Sequence, residues 1–110
     1  MSPTSSVDRT FHALADSTRR DLLLLLTDGE RSANDLATPF PATRSAVSQH
    51  LAILLSAGLV DRRREGRRQM YRLCPEPLAE VLTWVQVFEE FWTERLQRLG
   101  EYLDESVSAP

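Results

Sequence analysis

Seven consecutive positions, Arg62 to Arg68, read RRREGRR and carry five arginines. The chain around them has a formal net charge of −3, so its basic residues are segregated rather than abundant. Residues 1–40 hold four arginines against six acids, residues 41–72 seven against two, and residues 73–110 two against eight. A basic block between acidic ones is the footprint of a surface for a polyanion, although charge alone also fits a solvated hairpin. Just upstream, Ser45, Ser48, Gln49 and Ala52 fall at i, i+3, i+4 and i+7, which is one face of a helix. That face is short, polar and free of acids. Hydroxyl and amide groups can bond base edges in a DNA major groove, where phosphate repels a carboxylate.

The elements that must position these residues follow from periodicity and punctuation. Asp8 to Ala15 reads as a short helix. Asp16 suits the N-cap of the next, which carries Leu22 to Leu26. Five consecutive leucines cover most of a helix circumference and predict a central, buried helix. Asp28 and Gly29 end it. Ser32 with Asp35 resembles a capping box and starts a short helix, which the two prolines of Thr38 to Pro41 stop. Thr43 can cap a helix running to about Ser56, with Val47, Leu51, Leu54 and Leu55 as its core stripe and Gly58 as a left-handed stop. Leu59 to Arg64 and Arg68 to Leu73 are strand candidates around Glu65 and Gly66. A two-residue turn centred there sets Val60 opposite Tyr71, and a looser turn with Gly66 left-handed is equally compatible. One long helix is expected from Pro77 to about Glu105, with a frayed tail, Ser106 to Pro110.

The expected fold is mainly α with a small β-hairpin wing, in the order α-α-α-α-β-β-α, as one domain over residues 1–110. A helix-turn-helix occupies about 32–57, the wing about 59–73 and a C-terminal dimerisation helix about 77–105. A helix-turn-helix followed by a basic hairpin is a winged helix, and its expected partner is double-stranded DNA. Thr43, Arg44, Ser45, Ser48, Gln49 and His50 are the recognition-helix candidates; Arg62, Arg63, Arg64, Arg67 and Arg68 are the wing candidates. His50 can either contact phosphate or act as a boundary residue that fixes the helix-turn-helix.

The last helix carries more apolar surface than a chain of 110 residues can cover. A thick core and an apolar-ligand site are two readings of that surface. A homodimer through Phe11, Leu14, Trp84, Phe88, Phe91, Trp92 and Leu99 is the favoured one. Other chemistry is sparse. The single cysteine, Cys74, excludes an intramolecular disulfide and is either inert or thiol-responsive. No nucleophile, base and orienter stand together, so neither catalysis nor a cofactor is expected. The N-terminus does not read as a signal peptide, and the longest aliphatic run, Leu22 to Leu26, is far short of a membrane span. A cytoplasmic protein is expected. A winged-helix module that docks protein through its aromatic last helix is the alternative to DNA binding.

Three stretches resemble the ArsR/SmtB-type winged-helix repressors of bacteria. FHALADSTRRDLLLLL is similar to that family's opening. SAVSQHLAILLSAGLV, Ser45 to Val60, matches its S-x-x-S-x-H-L-x-x-L-x-x-A-G-L-V signature at every fixed position, and RREGRRQMYRL, Arg63 to Leu73, resembles its wing. The resemblance runs from about Arg9 to Glu105 and implies a homodimeric DNA-binding repressor released by an inducer, here an unknown small molecule. Ser17 and Ser45 stand where the family often has proline. Many members sense metals through a Cys-x-Cys pair on the third helix or through ligands on the last. Here ANDLATPF and the last helix contain neither Cys nor His, and the chain's only histidines are His12 and His50. No metal site is expected, and the chain resembles the metal-independent branch.

Overall fold

The computed structural model describes residues 5–108, with side chains through residue 104. Each early helix begins at a side chain that caps it. Ser5 accepts from the Asp8 amide and opens α1, Ser6–Leu14. Asp16 accepts from the Arg19 amide and opens α2, Ser17–Leu25, which tightens into a 3-10 turn, Leu26–Asp28. Ser32 accepts from Asp35 and opens α3, Ala33–Ala37; Thr43 accepts from Ala46 and opens α4, Arg44–Ser56. These bonds satisfy amides that a helix leaves orphaned in its first turn. Gly58, at φ 76°, turns the chain out of α4 into the wing strands β2, Val60–Glu65, and β3, Arg68–Leu73.

The core lies where α2, α3 and α4 meet the base of the wing. Leu22, Leu23, Leu26, Leu36, Val47, Leu51, Leu54, Leu59, Val60 and Tyr71 are all buried there. Leu24 is 65% exposed. The leucine-rich helix is therefore buried on one side, not all round. Leu24 lines a shallow apolar groove with Leu14, Leu23, Leu73 and Leu78.

The sheet differs from expectation in two ways. It has three strands, because Arg31–Ser32 forms a short β1 antiparallel to β3, in the order β1-β3-β2. A two-residue strand carries no alternation and leaves no trace in the sequence. The hairpin is also centred one residue later. Glu65 pairs with Arg68, so the loop is Gly66 and Arg67, and Val60 faces Leu73 rather than Tyr71. Gly66 sits at φ 62° and Arg67 is not left-handed, the pattern of a II′ turn with glycine in its first central position. A two-residue register shift preserves the faces, so Val60 and Tyr71 still point to the core.

The last helix is two helices. α5 spans Glu76–Gln86 and α6 spans Glu89–Ser108. Between them the Val87 and Phe88 amides bond to Trp84 and Val85, three residues back, at 3.3 and 3.0 Å. No proline or glycine marks this step, so composition gave no signal. Of the tail expected to fray, only the backbone to Ser108 is described, and it is helical; the remainder lies outside the described residues. α5 packs on α1, while among the described residues α6 makes no extensive packing contact with another element. The radius of gyration is 19.1 Å, against about 13 Å for a compact chain of this length. α6 is therefore an arm about 30 Å long, at 1.5 Å per residue.

Candidate nucleic-acid interface

α4 is held by its apolar stripe. Val47, Leu51 and Leu54 are buried against α2 and α3, which turns Ser45, Ser48, Gln49 and Ala52 outward, all exposed. Thr43 and Arg44, at the helix start, are exposed as well. The expected readout face thus stands clear of the core, with no acid on it.

A second attachment fixes α4 against the preceding helices. Arg19 of α2 is buried. Its Nε donates to the Ala13 carbonyl at 2.7 Å and one terminal nitrogen to the His12 carbonyl at 3.0 Å. The other lies 3.3 Å from Nδ1 of His50. A guanidinium has no acceptor, so this contact makes Nδ1 the acceptor and leaves Nε2 as the ring's donor. Asp16 Oδ2 lies 3.8 Å from the same Nδ1, beyond hydrogen-bond range. The Asp16 carboxyl is held below its ordinary pKa, chiefly by the bond from the Arg19 amide, with the nearby charge of Arg19 adding to it. His50 therefore sits half-buried at the α2–α4 junction.

The wing arginines are not equivalent. Arg62 and Arg67 are exposed and, among the described residues, make no ion pair, as is also true of Arg44. Arg64 donates to the Gly66 carbonyl at 3.2 Å, and Arg68 lies 4.0 Å from Asp35 of α3. Arg63 is committed: it meets both carboxylate oxygens of Glu30, at 2.8 and 3.2 Å, and also Glu65 at 3.3 Å. Arg72 pairs with Asp61 at 3.0 Å. Asp61 is thereby held below its ordinary pKa, and the Arg63 and Arg72 guanidiniums above theirs by Glu30 and Asp61 respectively. Sequence reasoning missed Arg19, Glu30 and Arg72. Each acts through a partner distant in sequence, and no local spacing advertises that.

The residues expected at a dimer contact fall into two groups. Phe11 of α1, Trp84 of α5 and Phe88 form one aromatic chain, with Phe11 edge-on to Trp84 at 5.5 Å and Trp84 tilted against Phe88 at 5.1 Å. Leu14 is half-buried beside the core. Phe91, Trp92 and Leu99 are exposed on α6, and Arg95 stacks over Phe91 at 4.5 Å. His12 lies on α1, His50 on α4 and Cys74 after β3; among the described residues no three His, Cys, Asp or Glu side chains form a metal-holding group. Burial raises the Cys74 thiol pKa, so Cys74 stays a thiol near neutral pH.

An exposed, acid-free helix face beside an arginine-bearing hairpin defines a winged helix-turn-helix DNA-binding domain. Comparison with known proteins narrows this class. The profile described as bacterial regulatory protein, arsR family, matches residues 16–62. The HTH-type transcriptional regulator Rv2034 of Mycobacterium tuberculosis is 40% identical over 104 residues, covering 94% of each chain. The transcriptional repressor SdpR of Bacillus subtilis is 33% identical over 82 residues, covering 74% of this chain and 91% of that one. Among solved structures, the homodimeric winged helix-turn-helix DNA-binding domain Mb0332 of Mycobacterium bovis superposes with a TM-score of 0.63 at 39% identity, covering 82% and 83% of the two chains. The chain belongs to the ArsR family of DNA-binding transcriptional regulators, which are not enzymes. No helix among the described residues is long and apolar enough to cross a membrane.

The Arg19 cluster carries a stability prediction. Arg19→Ala leaves two carbonyls and the His50 ring without their charged donor, and should cost on the order of 3 kcal/mol in urea unfolding. Arg19→Lys keeps the charge but not the three-way fork and should recover only part of that loss. Wild-type stability in both variants would refute the assignment.

Proposed function

We propose that the protein is a repressor that binds a two-fold DNA site as a homodimer and has no dedicated transition-metal site. The observation that carries the DNA reading is the exposed, acid-free stripe of α4 beside two wing arginines, Arg62 and Arg67, that pair with no described acid. In this reading Ser45, Ser48 and Gln49 reach base edges, while Thr43 and Arg44 meet phosphate at the helix start. Arg62, Arg64, Arg67 and Arg68 meet phosphate or the groove edge from the wing. His50 serves chiefly as the spacer between α2 and α4, and its outward Nε2 donor is the part available to DNA. A small-molecule inducer that releases the DNA would complete the cycle.

Phosphate contacts position a protein without reading sequence. Arg67→Ala with Arg68→Ala should weaken specific and random duplexes alike. Each lost contact should flatten the log–log salt slope by about 0.9, or about 1.8 when counted in both protomers. Gln49→Ala should cost about 1–3 kcal/mol on the preferred duplex and leave the slope unchanged. Affinity titrations on a selected and a random duplex at several salt concentrations check both. An unchanged slope in the arginine variant, or equal weakening of both duplexes by Gln49→Ala, contradicts the division of labour.

The homodimer reading rests on Trp84, Phe88, Phe91, Trp92, Leu96 and Leu99, apolar side chains left 41–65% exposed. Mb0332, a relative of the same fold, is homodimeric. Joining two copies through α1, α5 and α6 buries this surface and fits recognition helices spaced roughly 34 Å apart, one turn of DNA. Phe88→Glu and Trp92→Glu should each give monomer or insoluble protein by light scattering, and a normal dimer from both argues against it.

Metal independence is supported by the ligand supply. A soft-metal site needs three or four N or S donors, and His12, His50 and Cys74 stand on separate elements. Zinc, cadmium and arsenite should leave duplex affinity unchanged; tight stoichiometric binding coupled to DNA release would show a site exists.

A further inference from the structure

We propose that Glu30 sets the DNA affinity of the wing by occupying Arg63 in place of a backbone phosphate. The proposal rests on the DNA-binding reading above and adds a residue that opposes it. Glu30 directly precedes β1 and is anchored by the pairing of Arg31 with Tyr71 and of Ser32 with Met70. Arg63 faces Met70 from the other side of β3. Its guanidinium therefore reaches across the central strand, toward the base of the wing and away from the tip at Gly66 and Arg67. There it meets both Glu30 oxygens at 2.8 and 3.2 Å. This is the two-pronged geometry in which an arginine also takes a phosphate. Glu65, at 3.3 Å, holds the same group from the tip side.

The competition is selective. Among the described residues, Arg62 and Arg67, on the same hairpin, have no ion-pair partner. Asp61, on the same face, is already engaged by Arg72. Glu30 and Arg63 both remain partly exposed, at 35% and 52% of their side-chain surface. A pair in that setting adds little to the fold and is free to exchange.

Ion bookkeeping gives the consequence. An unpaired arginine that meets a phosphate releases a condensed counterion from DNA. If Arg63 leaves Glu30 to do so, the freed carboxylate attracts a cation in return, and net release is close to zero. In the wild-type protein Arg63 should add almost nothing to the salt slope. Without the Glu30 charge, and with only Glu65 still beside it, it should add up to about 0.9 per protomer, hence up to about 1.8 per dimer. Between 50 and 200 mM salt that difference amounts to about a tenfold change in relative affinity.

The test is a double-mutant cycle on the full chain, with a random-sequence duplex as the probe and circular dichroism as the folding check. Glu30→Gln should bind more tightly at low salt, with a slope steeper by up to about 1.8. Arg63→Ala alone should leave wild-type binding nearly unchanged. Glu30→Gln with Arg63→Ala should lose the gain. If the gain persists without Arg63, Glu30 acts only as a repelling charge and the proposal is overturned. If Glu30→Gln gives no gain while the wild type binds normally, the pair is a structural brace and the proposal is likewise overturned. If the wild type binds no duplex, the DNA reading fails and takes the proposal with it. Glu30→Ala serves as the second variant and should repeat the Glu30→Gln result.

Discussion

A buried guanidinium tolerates no unmet donor, because an unpaired charge in a low-dielectric interior is strongly disfavoured. Arg19 meets that demand with two carbonyls near the end of α1 and one ring nitrogen of α4. Both carbonyls lie in the last turn of α1, where the helix dipole favours a cation; that of His12 also accepts from the Ala15 amide. One side chain of α2 therefore fixes both the end of α1 and the middle of α4. The consequence is mechanical. α1 also carries Phe11, which packs on Trp84 of α5. The surface proposed for a second copy and the helix proposed to read DNA thus share one rigid attachment, only a few residues from each.

The wing shows a second constraint, the alternation of a strand. Every other side chain must face the same way, so a run such as Asp61, Arg62, Arg63, Arg64 and Glu65 cannot present one uniform patch. Asp61, Arg63 and Glu65 fall on one face with Arg72, and ion pairs there neutralise much of the charge. Arg62 and Arg64 fall on the other face, and Arg67 is in the turn. The basic block is thereby divided into committed and uncommitted cations. Pairing of β1 with β3 ties the start of α3 to the wing, so helix-turn-helix and hairpin form one surface rather than two hinged pieces.

Apolar surface beyond the wing obeys a different rule. The small core is complete without α6, and its buried set ends at Tyr71. α6 nevertheless exposes Phe91, Trp92, Leu96, Leu99, Tyr102 and Leu103. Hydrophobic burial is worth about 25 cal/mol per Å², so an arm of this composition gains most when another surface covers it. Six of the eight acids of residues 73–110 lie on the same arm as those apolar groups, which keeps the uncovered helix hydrated and sets it apart in charge from the wing.

The elements with local causes were legible in the sequence. Asp16, Ser32 and Thr43 cap the helices they were expected to cap, Gly58 is left-handed, and the Val47, Leu51, Leu54 stripe is buried with Ser48 and Gln49 turned outward. Each rests on an interaction spanning a few residues, so spacing alone specifies it. What the sequence could not carry depends on partners far apart in the chain. Leu24 and Leu22 are chemically identical, and only what folds against α2 buries one and leaves the other exposed. β1 exists because β3 offers it hydrogen bonds, and cross-strand pairing decided where the turn falls, with Gly66 left-handed as one of the two readings of the sequence had it. Arg19 and Arg63 look alike as letters, but one is sealed among three helices and the other clasped by a glutamate 33 residues away. Tertiary structure decided these, because the environment of a charge is set by whatever folds against it.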